Sequence, residues 1–440
     1  MNTPRFLTAL MLAMVLSLSA QQQSVSPYSL FGTGWFAAQA NAYQQLLGGA
    51  SSADRNPWYV NPDQPAALAA LKYTTLDLGG QWSGIRQSNA SKSVLNQTGG
   101  FNHFGIGVPL GKGMALAGSL RPYTSVGYDL QTGGTDSSFG DWYRRYTGRG
   151  GLNATAISWS WMPIKYISMG ATTRYLFGTA ERSNKLYFTN ARYDYVGEVE
   201  HVSVSDWRWQ FGGQLILPFG EQEVTAGIQY EPTASLQATQ DYSLYSFNTN
   251  AAGTELPLDT VQSRAATSGS IVLGSRLGYG LRWVRNRKNA MLPAWSLAVH
   301  YEQINLEQQR DFGSVVPGAY QQPTSTWVAN ASVVPMLAFS NRRLTSYWSQ
   351  IQYIAAFRSD RFGLVLNGTE VTGWNANFGL AMPVGGRSFI PGDVKVSTLH
   401  LGLSAGQLGS IQNGLVREQY LRAFVGVTLN DQWFMKAKFR

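Results

Sequence analysis

The stretch WRWQFGGQLIL, residues 207–217, alternates with a period of two. Trp207, Trp209, Phe211, Leu215 and Leu217 share one parity, and Arg208, Gln210 and Gln214 share the other, with Asp206 continuing the polar set. A strand points successive side chains to opposite faces, so one face of this segment suits hydrocarbon and the other suits water. The pattern recurs on either side of it. Ile167, Met169, Ala171, Tyr175 and Phe177 oppose Ser168, Thr172 and Arg174. Trp295, Leu297, Val299 and Tyr301 oppose Ser296, His300 and Glu302, and Leu399, Leu401 and Leu403 oppose Thr398, His400 and Ser404. A soluble sandwich shares this period, so the alternation needs a second argument.

Composition supplies it. Charged residues make up only 13% of the 440, aromatics another 13% with 14 Trp, 22 Tyr and 20 Phe, and there are 47 Gly. Mean hydropathy is −0.16, so the charge has not been replaced by long apolar helices. The aromatic content excludes disorder and the hydropathy excludes a helical membrane bundle. Strands with one lipid-like and one wet face make a transmembrane barrel with a polar interior, and Trp and Tyr at the strand ends suit the headgroup level. The absence of Cys rules out disulfides, thiolate metal sites and a Cys nucleophile. The net charge of +9 is not gathered into any Lys/Arg run, so no nucleic-acid partner is expected.

Residues 1–20, MNTPRFLTALMLAMVLSLSA, read as a secretory signal: Arg5 is the basic n-region, Phe6 to Leu16 the apolar stretch, and Ser17 to Ala20 the cleavage zone. The mature chain is thereby expected outside the inner membrane, in the outer membrane of a Gram-negative cell.

Short turns fall at 108–113, 162–165, 218–222, 285–289, 340–345 and 383–388. The roughly 50 residues between each accommodate two spanning strands of about 10 residues and a longer loop, which gives ~14 strands. The longer outward loops are expected at 131–150, 181–195, 246–262 and 309–325. The short turns are basic, with Lys112, Lys165, Arg285, Arg342 and Arg343 among them. They suit either phospholipid headgroups or a periplasmic partner. Residues 432–440 are expected as a periplasmic return rather than a further strand.

Residues 21–71 do not alternate. An Ala/Gln-rich stretch at 37–53 could form a short helix, and Pro57, Pro62 and Pro65 forbid ordinary strands. The apolar residues Phe31, Trp35, Phe36, Leu46, Leu47 and Trp58 argue that the segment packs inside the lumen, which a ~14-strand wall leaves too wide for its own side chains to fill. The barrel proper is then 72–440.

The segments SPYSLFGTG (26–34), LGG (47–49), VNPDQPAALAAL (60–71), LRPYTSVGYDL (120–130) and GLAMPVGG (379–386) occur in an order that resembles the long-chain fatty-acid transporter (FadL) family, in its Bacteroidota version. So does the run from Val396 to the C-terminus. The resemblance implies a 14-strand barrel plugged by an N-terminal hatch, with hydrophobic molecules leaving sideways through the wall. Asn61, Pro62 and Pro65 would belong to the hatch. Where better-known members carry Asn-Pro-Ala, Asp63-Gln64 here separates Asn61-Pro62 from Pro65-Ala66.

Arg208, Gln210, His300, Glu302 and His400 are expected to line the lumen. His300 and Glu302 could orient a general base, but no nucleophile elbow, HExxH or paired-carboxylate motif accompanies them, so no catalytic residues, metal or cofactor are expected. GIGVPLG at 105–111 reads as a turn rather than a dinucleotide fingerprint. Pro122 interrupts a strand over 113–130, with Leu116, Leu120 and Val126 on the lipid parity and Arg121, Tyr123, Ser125 and Asp129 on the lumen parity. Proline removes a ladder bond where a closed barrel has no edge to hide the loss. Arg121, Pro122 and Tyr123 therefore mark an expected lateral opening, Arg121 suited to an anionic head and Tyr123 to an apolar tail, the alternative being a simple bulge. The functions left standing are a channel for small hydrophobic or amphipathic molecules, a barrel subunit of an envelope export or assembly complex, and a barrel enzyme.

Overall fold

The computed structural model describes residues 24–36, 41–190, 192–286, 292–306, 310–311, 314–315, 322–335, 347–384 and 397–431. The expected signal segment 1–20 and the expected periplasmic return 432–440 lie outside the described residues.

The alternation closes into a 14-strand antiparallel barrel. The strands are β1 (Thr74–Ser88), β2 (Ser93–Gly111), β3 (Met114–Pro122 and Thr124–Asp136), β4 (Gly140–Ile164), β5 (Ile167–Phe188), β6 (Tyr195–Phe219) and β7 (Gln222–Glu231 and Ala234–Thr249). They continue as β8 (Glu255–Leu273 and Arg276–Arg285), β9 (Trp295–Ile304), β10 (Thr324–Val333), β11 (Gln352–Leu366), β12 (Thr369–Val384), β13 (Ser397–Leu408) and β14 (Arg417–Asp431). Each pairs with the next, and β14 returns to β1 in the register Thr74↔Asp431 to Ser88↔Arg417. Closure removes the open edges that hydrocarbon would not tolerate.

The wall sorts side chains as the period requires. Trp207 and Trp209 are 54% and 53% exposed on the outside, while Arg208 and Gln210 are 2% and 1% exposed within. Trp82, Trp207, Trp327 and Trp374 are exposed toward the outward loops and Trp161, Trp283 and Phe219 toward the short turns, two aromatic levels flanking an apolar band.

The segments 131–150, 181–195 and 246–262 are not loops. They are strand over most of their length, with turns only at the hairpin tips. Their polar composition is that of a sheet solvated on both faces rather than of irregular chain. Cross-strand pairs hold them, among them Tyr143 stacked on Tyr187 at 4.6 Å and Arg145 donating to Asp129 at 2.9 and 2.6 Å. Of 309–325, the described Arg310–Asp311 and Ser314–Val315 pair as a small hairpin.

Residues 41–71 lie within the barrel, where nearly every side chain is buried. The Ala/Gln-rich stretch contributes helix α1 (Ala42–Leu46), whose first turn is capped by Asn41 accepting from the Gln44 N–H at 2.6 Å. Pro65 opens a 3₁₀ turn to Ala70. Tyr43, Leu46, Leu47, Trp58 and Tyr59 pack with Ile354 and Phe424 of the wall. The segment sits against wall glycines: a Cβ at Gly227 would overlap the Ser52 carbonyl oxygen, and one at Gly212 would overlap Gln64 Oε1. Residues 24–36 run across the upper lumen, from Gln87 donating to the Val25 carbonyl to a short pairing of Trp35 and Phe36 with Ser125 and Thr124.

Candidate functional site: a locked floor, a wall break and a chamber

Asp63, one of the two residues that separate Asn61-Pro62 from Pro65-Ala66, carries the floor of the lumen. Arg121 of β3 grips its carboxylate in both directions, Nη1 to Oδ2 at 3.0 Å and Nη2 to Oδ1 at 2.6 Å. Arg174 of β5 reaches Oδ1 at 3.4 Å and Arg276 of β8 at 3.9 Å. Burial opposes the charge of Asp63, but Arg121, aided by Arg276 and Arg174, outweighs it and holds the carboxyl well below the usual carboxylate range. Glu231 of β7 shares two of these cations, contacting Arg174 and lying 3.8 Å from Arg276, and adds Arg208 at 3.6 Å. Gln210 donates to the Asp63 carbonyl and accepts from Arg174.

The other expected lumen residues join this network or lie near it. Glu302 accepts from Arg276 at 2.7 Å and Gln229 at 3.2 Å, with His300 Nε2 at 3.8 Å, so the His300–Glu302 pair is tied to an arginine. Asn61 shapes the turn that presents Asp63: its Oδ1 accepts from the Asp63 and Gln64 N–H groups, and its Nδ2 donates to the Ser51 and Asp54 carbonyls. Pro62 offers its carbonyl to Arg174 at 3.4 Å, and Pro65 starts the 3₁₀ turn. His400 lies apart, hydrogen-bonded to Thr428 at 2.9 Å with the Tyr59 ring 5.0 Å away.

Three strands of the wall are interrupted: β3 at Tyr123, β7 at Pro232-Thr233 and β8 at Gly274-Ser275. Interruption leaves backbone carbonyls without ladder partners, which is costly at membrane depth unless another donor reaches them. Arg208 supplies the donors. It donates to the Gly274 carbonyl at 2.6 Å and the Pro232 carbonyl at 3.4 Å, and so serves two of the breaks; at β3 it bonds the Tyr123 side-chain hydroxyl at 2.6 Å, while the Tyr123 N–H donates to the Leu152 carbonyl of β4 at 2.7 Å.

At β3 the ladder with β2 runs from Gly111↔Met114 to Phe104↔Leu120 and stops. Beyond it Thr124 and Ser125 pair with Phe36 and Trp35 of the lumenal segment instead, and the ladder with β4 resumes at Val126↔Gly150. Between Pro122↔Asn153 and Val126↔Gly150 β3 carries one residue more than β4, a bulge that resets the parity. Val126, expected to face lipid, is consequently buried with Tyr128 and Ala180. Asp129, expected in the lumen, is exposed and paired with Arg145. The Arg121 guanidinium, read from sequence as a ligand contact, is occupied by Asp63.

Above the floor lies a chamber of about 270 Å³. Phe101 and Asn102 of β2 line it on one side of the unpaired stretch, and Pro122 and Tyr123 of β3 on the other. Arg422 of β14, separated from β2 by β1 alone, enters the chamber with its Nε donating to Ser83 at 3.1 Å and its guanidinium 5.2 Å from the Tyr420 ring centre. Sequence reasoning missed Asp63, Arg276 and Arg422 as site residues, and it placed Arg174 on the polar face without assigning it a role. The only local signal was Asp63's place within Asn-Pro-Asp-Gln-Pro.

Comparison with known proteins places this architecture. No curated protein matches the chain. Among solved structures, a FadL homologue of Pseudomonas aeruginosa aligns with a TM-score of 0.56 at 12% identity, over 91% of this chain and 100% of that one. The toluene transporter TbuX of Ralstonia pickettii aligns at 0.54 and 12%, over 90% and 99%, and the CymD monoaromatic hydrocarbon channel at 0.51 and 12%, over 91% and 100%. These likenesses establish the shared fold, that of a FadL-type membrane barrel. The model of the BamG family matches residues 3–440, and the chain belongs to the BamG family.

Proposed function

We propose that the protein is an outer-membrane channel through which small hydrophobic or amphipathic molecules pass passively, between the chamber and the outer leaflet, by way of the break between β2 and β3. Arg121, Pro122 and Tyr123 border this lateral opening, and residues 21–71 act as the hatch. The observation that supports the reading is that the chamber is lined from both sides of the unpaired stretch, by Phe101 and Asn102 and by Pro122 and Tyr123. The fold shared with hydrophobic-compound channels agrees with it. The chain has no native cysteine, so Phe101→Cys offers a single attachment point. Proteoliposomes are expected to take up a fluorescent alkyl probe, and a bulky maleimide on the introduced thiol to stop them. Uptake equal to empty liposomes, or untouched by the maleimide, overturns the reading.

A second reading, a non-transporting barrel subunit of an envelope export or assembly complex, draws support from the BamG family match and from the ion pairs that close the floor. Its mark would be stoichiometric partners that co-purify with a barrel that passes no probe.

A further inference from the structure

The chamber's arginines are not equivalent. Arg121 is held by Asp63, Arg208 by Glu231, Arg276 by Glu302, and Arg358 by Asp360 through two contacts of 2.8 Å. Arg422 has no carboxylate in ion-pair range among the described residues; its contacts are Ser83 and Tyr420. Glu418, four residues up the same strand and so about 13 Å away along it, is engaged by Gln87 at 3.0 Å. One cation of the chamber therefore lacks a counter-charge among the described residues.

A second polar group in the same chamber is also unmatched. Asn102 is 6% exposed and its Nδ2 has no hydrogen-bond partner among the described residues. Arg422 pairs across β14 with Ser83 of β1, and Phe101, the neighbour of Asn102, pairs with Gly80 of β1. The two groups thus flank one strand, about 10 Å apart along it and about 10 Å across it. Ser83, Asn375 and Ser404 line the same chamber, with Phe101 beside the break and Trp35 packed on Phe362 of β11 at 4.5 Å. Buried amides and hydroxyls are costly unless a ligand or water bonds them, and a bare hydrocarbon bonds none.

We infer that the chamber is a binding site for an amphipathic molecule whose hydroxylated head carries one negative charge, with Arg422 as the anion contact, Asn102 as a donor to the head, and the tail directed past Phe101 into the break. The inference deepens the channel reading only in naming what enters; binding in the chamber is a separate event from flux.

The test uses the full-length barrel in nanodiscs and three probes, octyl glucuronide, octyl glucoside and octanoate, whose alkyl tails have eight, eight and seven carbons. Binding is read by calorimetry. The glucuronide is expected to bind at least tenfold more tightly than either the neutral glucoside or octanoate, which lacks the hydroxyls. Arg422→Gln should erase the preference over the glucoside, Arg422→Lys should keep part of it, and Asn102→Leu should narrow the gap to octanoate. Heat-modifiable migration on gels confirms that each variant is a folded barrel. Equal binding of glucuronide and glucoside by the wild type, or an unchanged preference in folded Arg422→Gln, overturns the inference. Octanoate binding as tightly as the glucuronide removes the hydroxylated head. Probe binding without liposome flux would leave this site standing and sink the channel instead.

Discussion

The floor of the lumen and the chamber above it are built from the same material, arginines projecting from strands of one barrel, yet they differ in how charge is balanced. On the floor, Arg121, Arg174 and Arg276 converge from three strands on Asp63, a residue of the lumenal segment, with Glu231 behind it. In the chamber, Arg422 meets a serine and a tyrosine ring and no described carboxylate. A buried cation with its carboxylate acts as a fastener, because removing either partner strands the other in low dielectric. A cation facing an open chamber can stay hydrated until a ligand arrives. The contrast separates the part of the interior that holds residues 41–71 in place from the part whose cation lacks a counter-charge among the described residues.

Removing the floor's anion should break the comparison most severely. Asp63→Leu leaves three buried guanidinium groups short of a partner and is expected to cost about 3–5 kcal/mol. The readout is the midpoint of denaturant unfolding, together with protease cleavage within residues 41–71; a change below about 1 kcal/mol would mean that Asp63 does not fasten the segment. A smaller effect is expected where the segment's backbone meets the wall. Gly227→Ala places a methyl against the Ser52 carbonyl and should cost about 1–3 kcal/mol, chiefly by loosening residues 50–54, which hydrogen exchange would resolve.

In the chamber, Arg422→Gln should cost only about 0.5–1.5 kcal/mol, the worth of its bond to Ser83, and loss comparable to Asp63→Leu would erase the distinction between the two levels. The smallest effect is on pH dependence. Asp63's carboxyl is lowered in the folded state, so its contribution is fully present above the unfolded value of 3.8 and is lost as pH falls below it toward the folded one. The seat of the segment should therefore be unchanged between about pH 7 and pH 5 and weaken only in stronger acid. A midpoint that drops across that interval in the wild type, but not in Asp63→Asn, would contradict this.

Much of the wall was legible before any coordinates. Arg208, Gln210, His300, Glu302 and His400 share the lumen face because parity along a strand is local, and the turn spacing led to the strand count. Reading stopped where a local rule was reset. The bulge after Pro122 moved Val126 inward and Asp129 outward, and nothing in the run Thr124-Ser125-Val126 announces an extra residue. The tall hairpins of β3 to β8 resemble loops in sequence because a sheet wet on both faces lacks the apolar stripe that marks a strand.

That the chain makes a barrel with one apolar and one wet face is written in its residues: period-two alternation, scarce charge and abundant aromatics are properties of neighbouring residues and of the chain as a whole, and the solvent on each face selects them. Which charges meet is a property of the closed sheet. Asp63 lies 58 residues from Arg121 and 111 from Arg174 along the chain. They converge because closure and register stagger β3, β5 and β8 so that their inward arginines reach one depth, and because Asn61 turns the lumenal segment toward it. The same register carried Arg422 to a level out of ion-pair range of every described carboxylate. Ion pairing across a closed barrel depends on depth and azimuth, quantities that exist only once the sheet has closed.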